Sequence, residues 1–106
     1  RKKLIRDATI GAAEAPLATA SSAMELLSNL KGLCVSCNAN ALTDLASASE
    51  LSLSAVKIAA MNVRINLDFI EGDDVDRLAS QIEKVIQNST SYAEAITLKV
   101  NERLGW

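Results

Sequence analysis

Three polar residues in the middle of the chain lie inside a segment that is otherwise rich in alanine and aliphatic side chains. They are Asp44, Asn62 and Asn66. A carboxylate in the first turn of a helix can cap free N–H groups, and it can also hold a cation or transfer a proton. From spacing alone the capping role of Asp44 is favoured. Two asparagines four residues apart share one helix face, where buried amides need partners and typically join helices.

The separation along the chain limits how these residues can cooperate. Asp44 and Asn62 are 18 positions apart in sequence, which corresponds to about 27 Å along a straight helix. One subunit therefore cannot easily bring both residues into a single small pocket.

Two cysteines, Cys34 and Cys37, form a C-x-x-C motif. A zinc site needs further ligands, and the chain has no histidine and no third cysteine. A redox motif is typical of a βαβ pattern, which is absent here. We therefore interpret the cysteines as small buried or half-buried residues at a helix end.

Basic residues cluster at the start of the chain, at Arg1, Lys2, Lys3 and Arg6. The net charge of −2 gives no global attraction to nucleic acid, so no nucleic-acid partner is predicted. The cluster could hold an anion, but a solvated helix end is the favoured interpretation.

The composition indicates a helical protein without a membrane span. Hydrophobic residues make up 49% of the 106 residues and aromatic residues only 3%, so the core must consist of alanine, leucine, isoleucine and valine. No apolar run approaches the ~20 residues that a span requires, and no secretory leader is recognisable. A soluble, cytoplasmic protein is the expectation.

Apolar and small side chains recur at steps of three and four in the last third of the chain, as in an amphipathic helix. They are Val75, Leu78, Ile82, Val85, Ser89, Tyr92 and Ile96. Gly72, Asp73 and Asp74 mark the start of this helix, since carboxylates there favour the positive end of its dipole. We expect it to continue to about Arg103.

A first helix is predicted from Leu4 to about Leu33, with Gly32 near its end. Pro16 lies inside it, removes one backbone hydrogen bond and clashes with the preceding turn. We therefore expect a kink or a break near Glu14.

The middle helix is predicted to start at Thr43 or just before, with the threonine as its cap. The alternation from Val63 to Phe69 could suggest a strand, but a single strand makes no sheet, and helix is preferred. Apolar and alanine positions over 41–70 leave little polar face, so most sides of this helix must be covered.

Together these patterns predict an all-α fold. It is a bundle of about three long helices within one domain, residues 1–106, with the first helix broken near Pro16. Because the middle helix has too little polar face for a monomer, the bundle is expected to form a homodimer or a higher oligomer.

The segment NANALTDLASASELSLSAVKIAAMNVRINL, residues 38–67, resembles the signature of the formiminotransferase-cyclodeaminase carboxy-terminal domain family. In that family an asparagine loop precedes a Ser-Asp helix start, an alanine-rich helix and an N-V-x-I-N-L ending. The residues APL at 15–17 are similar to its proline-leucine helix, and the resemblance covers nearly the whole chain. It implies an all-helical dimer that acts on folates.

The resemblance implies a reaction and site residues. Family members include formimidoyltetrahydrofolate cyclodeaminase, which closes 5-formimino-tetrahydrofolate to 5,10-methenyl-tetrahydrofolate with loss of ammonia, and methenyltetrahydrofolate cyclohydrolases. Asp44 is the implied catalytic carboxylate, with Thr43 positioning it or a water. The implied substrate-binding residues are Asn40, Asn62, Asn66, Arg64 and Lys57. Asn62 and Asn66 could instead fix helix packing, or complete a pocket of a neighbouring subunit.

Lys57, Arg64 and the basic cluster at the start of the chain are available for the glutamate tail of a tetrahydrofolate derivative. The sequence does not rank them. The ring closure requires no metal and no separate cofactor.

Three departures from the family pattern bear on function. Thr43 stands for the usual serine and keeps the hydroxyl, whereas Ala46 replaces a common glycine and narrows the approach to the helix start. The glycine-rich segment of the first half of the domain is absent, so we expect the chain to be incomplete at its N-terminal side and to require a missing N-terminal half or a fused formiminotransferase domain. The alternative function is a non-catalytic one, in which the chain serves as a helical interaction module.

Overall fold

Three long helices and one short turn form the computed structural model, which describes residues 1–106. Helix α1 comprises Lys2–Leu33, α2 comprises Leu42–Leu67 and α3 comprises Asp73–Leu104, and a 3₁₀ turn at Ala39–Ala41 precedes α2. There is no strand. The predicted all-α bundle of three helices is therefore confirmed, and the residues at Val63 to Leu67 are helical.

The bundle is a rod of 59 × 17 × 17 Å. Arg6, near the start of α1, pairs with Asp74, near the start of α3. At the opposite end, Arg103 of α3 donates a hydrogen bond to the carbonyl oxygen of Cys34, just after α1. Helices α1 and α3 are thus parallel and α2 runs against both, as short connections dictate. No helix has the length and apolar character needed to cross a membrane.

Small aliphatic side chains build the core, as the composition predicts. On α3 the buried positions follow the predicted stripe, except that Ala93 is buried and Tyr92 only half-buried. Phe69 and Trp106 are exposed. Alanines at helix contacts allow the backbones to approach closely, so three helices can pack without large aromatic side chains.

The expected break at Pro16 is wrong, because α1 is continuous from Lys2 to Leu33. Proline inside a helix costs about 3 kcal/mol through its missing N–H and a steric clash. Here Ala13 and Ala20, on either side of the proline, are both fully buried in the core. Packing along the whole length of α1 therefore holds the helix together across the proline.

The prediction that most sides of α2 are covered is not met within one chain. One face of α2 is buried, and the opposite face exposes four large apolar side chains. They are Leu51, Ile58, Met61 and Ile65, with exposed fractions of 73%, 56%, 61% and 54%. Alanine-rich composition made α2 look apolar all round, although its large side chains lie on two opposite faces.

The connection between α2 and α3 is fixed by the start of α1. Arg6 forms a two-pronged ion pair with Asp74, including an Nη1 to Oδ2 hydrogen bond of 3.0 Å, and its Nη2 donates to the carbonyl oxygen of Glu71. Gly72 lies beneath the guanidinium with a φ of 133°, and a Cβ there would stand 2.7 Å from Arg6 Nη2. Glycine is therefore required at this turn.

Candidate functional site

The first turn of α2 presents Thr43 and Asp44 to solvent. Helix α2 starts at Leu42, as predicted, but Thr43 does not cap it, because the preceding 3₁₀ turn places Thr43 inside the helix. The 3₁₀ turn before α2 is itself capped by Asn38, whose Oδ1 accepts a hydrogen bond from the backbone N–H of Asn40 at 2.9 Å. The backbone carbonyl of Thr43 accepts a hydrogen bond from Ser47 at 2.9 Å.

Asp44 is a carboxylate without a partner in the chain. The three ion pairs of the protein are Arg6–Asp74, Arg64–Glu83 and Lys99–Glu102. No side-chain hydrogen bond caps α2, so Asp44 does not perform the predicted capping role. An exposed carboxylate at the positive end of a helix dipole, with no internal partner, is available to a ligand.

Asp44 and Asn62 lie on the same side of α2. Eighteen residues at 3.6 residues per turn make five whole turns, so the two side chains leave the helix in the same direction. Between them lie the exposed apolar residues Leu51, Ile58 and Met61. We call this surface, with Thr43, Asp44, Leu51, Ile58, Met61, Asn62 and Ile65, the outer face of α2.

Asn62 and Asn66 do not join helices within the chain. Asn62 is exposed and Asn66 is half-buried. The Nδ2 of Asn66 donates to the backbone carbonyl of Asn62 at 2.8 Å, so this amide is satisfied inside its own helix. Asn62 lines a groove of about 330 Å³ between α1 and α2 with Pro16, Thr19 and Ile58.

Pro16 is the residue of this groove that sequence reasoning did not place. The sequence suggested only that Pro16 breaks the helix. In the structure it also leaves a backbone carbonyl group without a donor beside the groove. Since proline has no N–H, the carbonyl of Ala12, four residues earlier, has no intrahelical donor. The resemblance at Ala15 to Leu17 was the only signal in the sequence that this part of α1 could face a functional surface.

Lys57 and Arg64 lie on another side of α2, towards α3. Arg64 donates to the carboxylate of Glu83 at 2.9 Å. Lys57 lines an open groove of about 490 Å³ with Glu50 of α2 and Glu94 of α3. The structure therefore places these two cations on the α3 side of α2, whereas Asn62 borders α1.

The basic cluster at the start of the chain is divided by the fold. Arg6 is engaged by Asp74, and the hydrogen bond from Arg6 lowers the pKa of that carboxyl. Arg1, Lys2 and Lys3 are exposed. Arg6 is thus a structural residue, whereas the other three remain free to meet an anion. No three acidic, cysteine or histidine side chains are grouped as a metal site would need.

Comparison with protein-family models gives a match to one family, described as formiminotransferase-cyclodeaminase, over residues 1–97. No curated protein and no solved structure matches the chain. The family match spans α1, α2 and most of α3, and therefore includes the outer face of α2 and every predicted site residue. The chain belongs to the formiminotransferase-cyclodeaminase family.

Proposed function

We propose that this chain forms part of a folate-dependent enzyme that cyclises 5-formimino-tetrahydrofolate to 5,10-methenyl-tetrahydrofolate and releases ammonia. Membership in the family indicates a folate-related one-carbon domain. The observation that carries the specific reaction is the free carboxylate of Asp44, the one acidic residue in the first turn of α2. In the first turn of α3, by contrast, three aspartates lie together and Asp74 is tied to Arg6.

The chemistry gives Asp44 two successive tasks. The substrate nitrogen N10 attacks the formimino carbon, which forms the new C–N bond and leaves a protonated N10. The carboxylate of Asp44 stabilises the cationic formimino group before the attack and then carries the proton from N10 to the departing nitrogen. Breaking the carbon to amine bond releases ammonia, so atoms and charge balance without an oxidant. Thr43, the preceding residue, supplies a hydroxyl to orient the carboxylate or a water.

For the glutamate tail, Lys57 is a better candidate than Arg64. Arg64 already pairs with Glu83, so binding a carboxylate there would require breaking that pair. Lys57 has no ion pair and borders an open groove. The nearby Glu50 and Glu94 reduce its attraction for an anion, so we assign it a contribution to the KM of the reaction rather than to turnover. Asn40, at the turn before Asp44, is available for a neutral part of the folate.

We further propose that two copies pack through the outer face of α2 in an antiparallel arrangement. Leu51, Ile58 and Ile65 are seven residues apart and more than half exposed, a spacing that suits the packing of one helix on another. A two-fold axis between Leu51 and Ile58 brings Asp44 next to Asn62 of the partner subunit. This arrangement overcomes the roughly 27 Å between the two residues in one chain.

Light scattering of the purified chain tests the assembly, with a dimer mass expected at micromolar concentration. Ile58→Glu places a charge in the middle of the outer face and should give a monomer. The exposed Leu98 of α3, outside that face, provides the control Leu98→Glu, which should remain dimeric. A wild-type monomer would contradict this assembly.

The reaction is tested by following methenyl-tetrahydrofolate formation spectrophotometrically. The chain is compared with a version extended to the full length of the family domain, and each receives 5-formimino-tetrahydrofolate. We expect turnover in the extended version and negligible turnover in the chain alone, since a pocket needs a complete set of positioned groups.

Two outcomes would change the proposal. Activity of the extended version only in hydrolysing methenyl-tetrahydrofolate would identify a cyclohydrolase. Absence of both activities, with a stable dimer, would favour a non-catalytic oligomerisation module, for which the apolar outer face of α2 is the supporting feature.

A further inference from the structure

The two cysteines lie in the turn that links α1 to the segment before Asp44. Cys34 follows the last residue of α1 and is 1% exposed, whereas Cys37 is half-buried. Neither is in a disulfide. They do not contribute to the proposed folate chemistry. Cys34 belongs to the core, and Cys37 packs against it.

The backbone of this turn holds the two residues at a separation that a disulfide can bridge. The N–H of Cys37 donates to the carbonyl of Leu33 at 2.9 Å, and the N–H of Ser36 donates to the same carbonyl at 3.2 Å. The turn is therefore wound like a helix, in which residues three apart have Cα atoms about 5 Å apart. Disulfides join Cα atoms separated by roughly 4.4–6.8 Å.

Arg103 of α3 contacts both members of the pair. Its Nη1 donates to the carbonyl oxygen of Cys34 at 3.2 Å and lies 3.6 Å from the sulfur of Cys37. The guanidinium group of Arg103 thus fixes the turn and holds the sulfur of Cys37, the more accessible one, near Cys34. The thiol of Cys34 donates to the carbonyl of Lys31 at 3.0 Å.

We propose that Cys34 and Cys37 form a thiol pair that a hydroperoxide oxidises reversibly to an intramolecular disulfide. The half-buried sulfur of Cys37 attacks the peroxide O–O bond and becomes a sulfenic acid, while the other oxygen leaves as an alcohol or water. The sulfur of Cys34 then attacks the sulfenic sulfur, the S–S bond forms and water leaves. Two electrons pass from the thiols to the peroxide, and a dithiol reductant reverses the change.

The different surroundings of the two sulfurs support this order of events. Burial, together with the neighbouring Cys37, raises the pKa of the Cys34 thiol, so Cys34 is a poor first nucleophile and is shielded from the oxidant. Cys37 reaches solvent and is followed directly by Asn38, which caps the turn before α2. Oxidation therefore acts on the segment that leads to Asp44, although the proposal does not depend on the reaction assigned to that residue.

Mass spectrometry of the reduced chain after treatment with hydrogen peroxide tests the proposal. We expect the mass to fall by about 2 Da and both cysteines to become resistant to iodoacetamide. The proteolytic peptide that contains both cysteines should carry the disulfide. Dithiothreitol should restore both thiols. Cys34→Ala should stop at a sulfenic acid on Cys37, which dimedone traps.

Phenylarsine oxide, which bridges two neighbouring thiols, gives a second measurement without an oxidant. One equivalent should bind to the wild-type chain and protect both cysteines, and Cys37→Ser should abolish this. Thiols that remain alkylatable after peroxide, or disulfides that form only between chains, would overturn the proposal.

Arginine variants test the positioning role of Arg103. Arg103→Gln should slow disulfide formation several-fold because the turn loses its contact with α3. Arg77, an exposed arginine of the same helix, provides the control Arg77→Gln, which should oxidise at the wild-type rate. Equal rates for the two variants would show that the guanidinium does not position the pair.

Discussion

Asp44 and Asp74 both lie in the first turn of a long helix, at opposite ends of the bundle. Asp74 receives a two-pronged ion pair from Arg6 and a hydrogen bond from the N–H of Val75. Asp44 forms no ion pair and does not cap its helix. Equal positions in a helix thus lead to different uses. The tied carboxylate of Asp74 closes the α2–α3 turn, whereas the carboxylate of Asp44 is exposed and unpaired.

The same contrast extends to the turns themselves. The turn beside Asp74 contains a glycine with positive φ that fits closely under Arg6. The turn before Asp44 contains three asparagine and alanine residues in a 3₁₀ turn, held by Asn38. The turn beside Asp74 is specified by packing, whereas the turn before Asp44 keeps polar groups at the surface.

The largest effect is expected for Asp44→Asn in the domain-length protein. Removing the charge while keeping the size should lower kcat by about 100- to 1,000-fold, with little change in Tm because no internal contact is lost. Steady-state kinetics and thermal unfolding measure the two quantities. Asp76→Asn, a change of another exposed carboxylate near the start of a helix, serves as the control and should leave kcat unchanged. Near-normal turnover of Asp44→Asn would remove this residue from the reaction.

Gly72→Ala should weaken the opposite end of the bundle. The φ of 133° is unfavourable for alanine, and the new Cβ displaces Arg6 from its position above the turn. We expect a loss of about 1–3 kcal/mol in the free energy of unfolding, measured by urea titration. Gly11→Ala, at a helical position with open space around it, should instead stabilise by about 0.5–1 kcal/mol. Two shifts of the same sign would argue against the conformational role of Gly72.

The ion pair of Asp74 predicts a pH dependence of stability. The hydrogen bond from Arg6 lowers the pKa of Asp74 from its ordinary value of 3.8. The folded state therefore binds this proton more weakly than the unfolded state, so the stabilisation is complete above pH 3.8 and is lost as the pH falls through the folded pKa. Asp74→Asn should remove this part of the acid sensitivity, measured as Tm between pH 2 and pH 6.

Asp44→Asn provides the matched comparison for that measurement. Because Asp44 forms no ion pair, this variant keeps the Arg6–Asp74 pair and should keep the acid sensitivity that the pair confers. An identical profile for wild type and Asp74→Asn would contradict the stabilising role of the Arg6 pair.

The smallest effect is expected in the middle of the bundle. There a hydroxyl group lacks a partner because it is buried, whereas the carboxylate of Asp44 lacks one at the surface. The hydroxyl of Ser89 is fully buried and has no hydrogen-bond partner. Ser89→Ala should stabilise by about 0.5–1 kcal/mol, since a buried unsatisfied hydroxyl is unfavourable. Ser80→Ala, exposed on the same helix, controls for helix propensity and should gain less. A clear destabilisation by Ser89→Ala would indicate that the hydroxyl has a partner in solution.

Much of the fold could be predicted because it depends on local patterns. The stripe on α3 and the aspartates at its start placed that helix at nearly its observed limits. Pro16 was misjudged because its local cost is real, but the burial of Ala13 and Ala20 on both sides outweighs it. Thr43 was misjudged as a cap because the 3₁₀ turn ahead of it depends on Asn38 rather than on any strong periodicity.

The candidate site was predictable in residue type but not in arrangement. The sequence alone determined three helices, their approximate ends, an aliphatic core and a family resemblance, because periodicity and side-chain type act over a few turns. Only the tertiary structure decided that Arg6 belongs to Asp74, that Arg103 meets the cysteines, and that Asp44 remains free. The two contacts join residues far apart in sequence. Which residues pair, and which carboxylate is left unpaired, depends on how the helices are oriented and on which turn of one helix faces which turn of another.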